Sequence, residues 1–144
     1  MLSVNQFKYL VFGIAGAVIV VGALAVNRSE RAKIRRRLGD RRSISDREFC
    51  SAFSLAAEAE TAIVVRNLLK PYLLVPVDLA HPDDKLCADL GLGARDGLDA
   101  NFFVRDVEKT TGIKIPDKDA EKMLTLRDIV SFVHAEKLDD RGTG

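Results

Sequence analysis

An uncharged apolar run near the N-terminus constrains this chain of 144 residues more than any other feature. Residues 11–26 contain no charged side chain, and Tyr9 and Leu10 extend the run to about 18 residues. A helix needs roughly that length to cross the hydrocarbon core of a bilayer. The sequence therefore predicts one transmembrane helix over about 9–26, with a soluble domain after it.

The segment that follows this run is strongly basic. Nine basic residues stand against three acidic ones over 28–47, whereas only Lys8 precedes the run. Because positive flanking residues stay on the cytoplasmic side, we predict a single-pass protein of a bacterial-type inner membrane with its soluble domain in the cytoplasm. We expect 28–45 to be a juxtamembrane segment that rests on anionic headgroups. Its predicted membrane-surface residues are Arg28, Arg31, Lys33, Arg35, Arg36, Arg37, Arg41 and Arg42.

Two alternatives stay open for the N-terminal segment. Ala23, Leu24 and Ala25 form the small-x-small pattern that signal peptidase cleaves, so the segment could be a signal peptide. The small residues Gly13 and Ala17 could also let two such helices pack closely, in which case the protein is a structural one that oligomerises through its helix.

The residue types that carry catalysis or bind metals do not cluster. Cys50 and Cys87 are far apart and fit no metal-ligand spacing, and His81 and His134 have no nearby Cys or Glu pattern. The net charge of +1 gives no reason to expect a nucleic acid partner. We therefore predict a protein that is not an enzyme, with no metal and no nucleic acid.

The first part of the predicted soluble domain has clear helix signals. Ser45 and Glu48 form a capping box, with Ile44 and Phe49 as its hydrophobic staple, so a helix should begin near Asp46 and continue until Pro71. A long loop should then run from 71 to 84, with a short strand over 75–77 as an alternative. The loop side chains expected in the core are Leu73, Leu74, Val75, Val77 and Leu79.

Three more helices are predicted after this loop. One should run from Gly97 to about Thr111, capped by Asp96 and ended by Gly112. A short helix should span about 117–123, and a last one 126–137 behind a capping box of Thr125 and Asp128. The positions expected to face inward are Leu98, Phe103 and Val107, flanked by Phe102 and Val104, then Ile129, Val130 and Val133, with Leu124 and Ile129 as a staple. This is an all-α bundle over 46–138, followed by a flexible tail over 139–144.

Several short motifs occur in the order and approximate spacing of a known family. They are Asp84-Lys85-Leu86-x-x-Asp89-Leu90-Gly91, Asp96-Gly97-Leu98-Asp99, Ile113-x-Ile115-Pro116-Asp117 and the Leu124-Thr125 start of the last helix. In these motifs the chain resembles an acyl carrier protein. The resemblance covers roughly 48–138 and implies three main helices plus one short helix.

The resemblance also implies a phosphopantetheine arm on a serine at the start of the second main helix. Here the matching residue is Gly97, which has no side-chain oxygen for the phosphodiester. No serine or threonine lies between Thr61 and Thr110, so no shift of the alignment supplies one. We therefore expect Gly97 not to be modifiable, and no phosphopantetheine cofactor.

The resemblance further implies that the second main helix contacts partners. In carriers this helix is acidic. Here that helix mixes Arg105 and Lys109 with acids, and Phe102 either anchors a partner or packs against the long loop. A phosphate-binding loop over 91–93 is a further alternative. The predicted partner-binding residues are Asp96, Leu98, Asp99, Phe102 and Arg105.

The favoured function is a membrane-anchored, acyl-carrier-like interaction or scaffolding module. Its partners would be the lipid bilayer and a protein, one of lipid or fatty-acid metabolism. A genuine membrane-associated carrier or lipid-handling protein is the main alternative.

Overall fold

A computed structural model describes residues 28–94 and 97–142. Its elements are the helices α1 (28–38), α2 (Asp46–Cys50), α3 (Ala56–Leu69), α4 (Asp99–Thr111), α5 (Asp117–Ala120) and α6 (Leu126–Gly142), with 3₁₀ turns at Lys70–Tyr72 and Val77–Leu79. No strand occurs among the described residues, which contain only an isolated bridge between Lys85 and Thr125. The prediction of an all-helical bundle is confirmed.

The prediction of a single first helix is wrong. The chain forms two helices, α2 and α3, with turns over 51–55 between them. The capping box is present: Ser45 Oγ accepts from the Glu48 amide at 3.2 Å, and Glu48 Oε2 accepts from the Ser45 amide at 2.8 Å. Ser51 Oγ then donates to the Glu48 carbonyl at 2.7 Å. Serine side chains that bond to the nearby backbone compete with helix continuation, so the helix ends there.

A buried arginine on α3 holds α2 in this bent arrangement. Arg66 is only 2% exposed, and its guanidinium lies 4.6 Å from the centre of the Phe49 ring. Its Nη1 donates to Asp46 Oδ1 at 2.7 Å and its Nη2 to the Ile44 carbonyl at 2.9 Å. One side chain therefore connects α3 to both the start of α2 and the residue before its cap.

The core lies where α3 packs along α6 and the loop after α3 covers them. Leu73, Leu74 and Val75 are buried in this core, and Val77 and Leu79 are partly buried, as predicted. The alternative of a strand over 75–77 is wrong, because Val77 begins a 3₁₀ turn.

The second capping box also forms. Asp128 Oδ2 accepts from the amide of Thr125 at 2.9 Å, and Thr125 Oγ1 accepts from the amide of Asp128 at 3.2 Å. Behind it α6 buries Ile129, Val130 and Val133, but it continues to Gly142 rather than Lys137. Residues 139–142 of the predicted tail are thus helical, whereas 143–144 lie outside the described residues.

Two further predictions near α5 are wrong. Leu124 is exposed and does not form a buried staple with Ile129. The helix α5 ends at Ala120, before the predicted residue 123.

The folded domain starts before residue 46, which corrects the predicted boundary. In α1, Ile34 is 2% exposed and Leu38 is 6% exposed, although basic residues surround them. Two apolar side chains four positions apart share one face of a helix, and this face packs on the domain. The segment 28–45 is therefore part of the packed structure and not a lipid-facing linker alone.

None of the helices within 28–94 and 97–142 has the length and apolarity to span a membrane. The predicted transmembrane helix over 9–26, the signal-peptide alternative and the packing of Gly13 and Ala17 all lie outside the described residues.

Candidate functional site

The start of α4 is the position at which the resemblance places the attachment serine. Here α4 begins at Asp99 with Leu98 as its cap residue, so the predicted start at Gly97 is two residues early. Gly97 has a left-handed φ of +77°, which stops it from joining the helix. Its amide donates to the Gly93 carbonyl at 2.9 Å, and Asp96, the predicted cap, lies outside the described residues. At the other end Gly112 adopts φ +75°, as predicted.

The surroundings of Gly97 are open. A Cβ placed there meets no other atom within 4 Å, so a larger side chain has room although the backbone conformation disfavours it. Gly97 itself has no hydroxyl group, and the nearest hydroxyls along α4, Thr110 and Thr111, are at its far end. The residues at this position do not fit an ester-linked phosphopantetheine.

The exposure of α4 changes two of the predicted roles. Phe103 and Val107 are fully buried, as predicted, but Leu98 is 51% exposed and not inward. Asp99 is 6% exposed, so it does not face a partner as predicted. Phe102 is 46% exposed. The residues of the predicted partner surface that do lie outside are therefore Leu98, Phe102 and Arg105.

The acidic side chains of α4 are directed at neighbouring elements. Asp106 accepts a short hydrogen bond from the Tyr72 hydroxyl, and this bond raises the pKa of Tyr72 above its ordinary value. Glu108 Oε1 accepts from the amide of Ile115 at 2.8 Å. These contacts fix α4 against the loop after α3 and against the connection to α5.

An apolar cavity of about 310 Å³ opens beside α4, and sequence reasoning did not find it. Its walls come from three separate parts of the chain, the segment 85–92, α4 and the region from α5 to α6, which is why no local pattern indicates it. The lining residues that carry its apolar character are Leu86, Leu92, Ala100, Phe103, Met123 and Ile129. Lys85 and Glu121 are its charged lining residues.

The helix α1 supports the wall that the segment 85–92 forms. Arg37 Nη1 of α1 donates to the Ala88 carbonyl at 2.5 Å. Just after α1, Arg41 Nη1 lies 2.6 Å from Oδ2 of Asp84, the residue before the segment. At Gly91, whose φ is +72°, a Cβ would stand 2.2 Å from Ile34 Cδ1, so α1 and this segment are in close contact. The helix nearest to the predicted membrane segment is therefore built onto the cavity wall.

The predicted membrane-surface residues divide into two groups. Arg37, Arg41 and Arg42 bond to the domain, the last to Glu48 at 2.6 Å. The remaining members are exposed on α1, and they are Arg28, Arg31, Lys33, Arg35 and Arg36. Of these, Lys33 is paired with Glu30 of the same helix at 2.7 Å. Most of the basic charge of α1 is thus available to a surface outside the domain.

Cysteine and histidine chemistry adds no further site. Within the described part of the chain, no group of three or more His, Cys, Asp or Glu side chains could hold a metal ion. Cys50 is partly buried, and burial raises the pKa of its thiol. Cys87 is exposed at the cavity.

Three curated relatives, each named acyl carrier protein, align with about half of this chain. The protein of Campylobacter hominis is 36% identical over 69 residues, which are 48% of this chain and 84% of the relative. That of Helicobacter hepaticus is 32% identical over 80 residues, 56% of this chain and 95% of the relative. That of Thermotoga maritima is 34% identical over 79 residues, which are 55% of this chain and 94% of the relative. No family model and no solved structure matches the chain.

Proposed function

The chain belongs to the acyl carrier protein family, and from this premise we propose that it is a member that carries no arm and acts instead as a membrane-anchored interaction module. In this proposal it is not an enzyme. It binds a protein partner at the cytoplasmic face of a bacterial-type inner membrane.

Gly97 is the observation that carries the proposal. The arm of a carrier is joined through a side-chain oxygen, and a glycine has none. The stretch between Thr61 and Thr110 contains no serine or threonine that could replace it. Without the arm, non-covalent binding is what the folded domain can still do.

The anchor is supported by the sequence of the N-terminal segment. Its uncharged run of about 18 residues has roughly the length of a membrane-spanning helix, and the basic residues of α1 follow it directly. Those exposed on α1 would lie near anionic headgroups, each contributing about 1 kcal/mol of attraction. Extraction of native membranes at alkaline pH tests this part, since an anchored chain stays in the membrane pellet.

The unmodified state is tested with a purified phosphopantetheinyl transferase and coenzyme A. The full-length protein should keep its mass, and so should Gly97→Ala, the matched control. Gly97→Ser restores the missing hydroxyl at a position with room for it, so labelling of this variant would show that the missing oxygen is what prevents attachment. Labelling of the native sequence would contradict it.

The interaction part is tested by affinity capture of the full-length, membrane-tethered protein. We expect Phe102→Ala and Arg105→Glu to reduce capture of the partner, because both side chains are exposed on α4. Equal capture by the native protein and by both variants would count against α4 as the contact surface.

The apolar cavity supports a second candidate, a lipid-handling protein that holds an acyl chain without a covalent bond. Its volume of about 310 Å³ and apolar walls suit part of such a chain. Native mass spectrometry of the detergent-solubilised protein should then show a co-purified lipid, and Ala100→Phe should displace it by filling the cavity. A lipid that is retained equally by this variant is bound elsewhere, and an empty native protein rejects the candidate.

A further inference from the structure

Four exposed side chains follow one line along α4. They are Leu98, Phe102, Arg105 and Lys109, spaced by four, three and four residues, which places them on the same side of a helix. We call this set the α4 stripe. Its first half is apolar and its second half is basic.

The exposed charges of the α4 stripe are positive, although α4 as a whole contains more acidic than basic residues. Asp99 is buried, Asp106 accepts from Tyr72, and Glu108 accepts from the Ile115 amide and lies 3.8 Å from Lys114 Nζ. The acids are thereby engaged by the domain, whereas Arg105 and Lys109 are exposed.

The positive charge is concentrated on one flank of the stripe. On that flank a shallow groove is lined by Tyr72 and Phe102, by the basic residues Arg105, Lys109 and Lys114, and by Asp106 and Glu108, which the domain already engages. The Lys114 side chain is 88% exposed, whereas that of Glu108 is only 18% exposed. On the opposite flank, the charged residues that line the groove between α4 and α5 are Arg105, Glu108, Asp117 and Glu121. A partner on the first flank meets an aromatic ring beside three exposed cations, whereas the two carboxylates of that groove are partly buried and bonded to the domain.

We propose that the α4 stripe binds a protein surface that is acidic and has an apolar pocket for Phe102; this rests on the proposed interaction function and names the chemistry of its partner. Exposed aromatic and arginine side chains are typical anchors of protein interfaces, and opposite charge speeds and orients the encounter. The resemblance implies an acidic docking helix and a basic partner, so the sign here is reversed.

The stripe suits a protein better than a lipid surface. A helix that lies in a membrane interface buries a continuous apolar face. The apolar face of α4 is already used by the core, through Phe103 and Val107, which are fully buried. Only Leu98 and Phe102 remain outside, which is enough for a pocket on a partner but not for an inserted face.

Photo-crosslinking in native membranes tests this proposal with the full-length chain. A benzophenone analogue of phenylalanine replaces Phe102, and a matched control carries it at Leu138, an exposed apolar residue on α6. Mass spectrometry identifies the molecule joined at each position. We expect a protein adduct at position 102 and not at 138, with an excess of Asp and Glu around the crosslinked residue of the partner.

The charge requirement is tested with variants of the same total charge. Arg105→Glu/Lys109→Glu should lower the yield at position 102 by about tenfold, whereas Lys70→Glu/Lys118→Glu, which changes exposed lysines outside the stripe, should leave it unchanged. Raising the ionic strength from about 0.1 M to about 1 M should also lower the yield, because the screening length falls from about 10 Å to about 3 Å.

Each remaining outcome overturns the proposal. These outcomes are a lipid adduct at position 102, a partner peptide without acidic excess, a yield that the stripe variants do not change, and no adduct at all. An adduct to a protein at position 138 alone would reject the stripe while leaving the interaction module standing, so the two failures are distinguishable.

Discussion

At the scale of single residues, the most consequential position besides Gly97 is the buried Arg66. Its guanidinium donates to Asp46 and to the carbonyl of Ile44, and it stacks on Phe49. Burial of a charged group is costly unless its partners are present, so the arrangement around it is tightly specified.

Replacing this arginine should destabilise the domain strongly. We expect Arg66→Ala to lower the free energy of unfolding by about 3 kcal/mol, because it removes the link between α3 and the start of α2 and leaves a cavity. The exposed neighbour Arg47 is the control, and Arg47→Ala should change stability by less than about 0.5 kcal/mol. Denaturant unfolding of the full-length protein in detergent measures both, and similar values for the two variants would show that Arg66 does not connect these elements.

At the scale of elements, the capping box of α2 makes stability depend on pH. The amide of Ser45 donates to Glu48 and Arg42 pairs with it, and together they lower the Glu48 pKa from 4.5 to about 2. A carboxyl whose pKa is lowered by folding stabilises the folded state above the unfolded pKa, and this contribution is lost as the pH falls through the folded value.

The variant Glu48→Gln should therefore be less stable than the native protein at pH 7. The difference should shrink as the pH falls from about 4.5 towards 2 and vanish below that. Glu60→Gln, on the exposed side of α3, serves as the matched control. Urea unfolding at several pH values checks this, and a difference that persists below pH 2 would mean that the carboxylate is not its source.

The docking of α1 can be tested with two glycines of similar backbone conformation. Gly91 and Gly39 have φ of +72° and +55°, but a Cβ meets Ile34 Cδ1 only at Gly91. Gly39→Ala should cost about 1 kcal/mol through its backbone alone, and Gly91→Ala about 1 kcal/mol more through the clash.

A double variant isolates that clash. Ile34→Val removes the Cδ1 atom, so Gly91→Ala/Ile34→Val should be more stable than the sum of the single effects indicates. Unfolding free energies give this coupling directly. Additive effects would show that α1 does not pack against Gly91.

The local signals in the sequence were enough to predict several elements, and long-range packing explains the rest. Ser45 with Glu48, Thr125 with Asp128 and Gly112 act within one helical turn, so their residue types alone predict the caps. At the break after Cys50 the local bond of Ser51 ends α2, but the bent arrangement is held by Arg66 and by Arg127, which donates to the Ala52 carbonyl at 2.8 Å from far along the chain. The burial of Asp99 and the exposure of Leu98 follow from where α4 begins, two residues later than its sequence indicates.

The site was predictable only in part for the same reason. Gly97 is identified from a motif, but the cavity beside α4 is formed by segments that lie apart in the sequence. In 28–45 the local signal that α1 packs on the domain is the four-residue spacing of Ile34 and Leu38. The many basic residues around them favour a membrane-surface segment instead, so this signal alone is not decisive.

At the scale of the whole molecule, α1 connects the predicted membrane segment to the cavity wall and to the loop before α4. The bond from Arg37, the contact of Ile34 at Gly91 and the ion pair of Arg41, three residues after α1, all fall within 84–91. We propose that this carrier-like domain works at the membrane without a covalent arm.

The most direct test of this claim is the intact mass of the full-length protein purified from the membranes of its native host. The account predicts the mass of the polypeptide, with no phosphopantetheine on any residue. A phosphopantetheine increment, located by fragmentation to any position between 28 and 142, would contradict it.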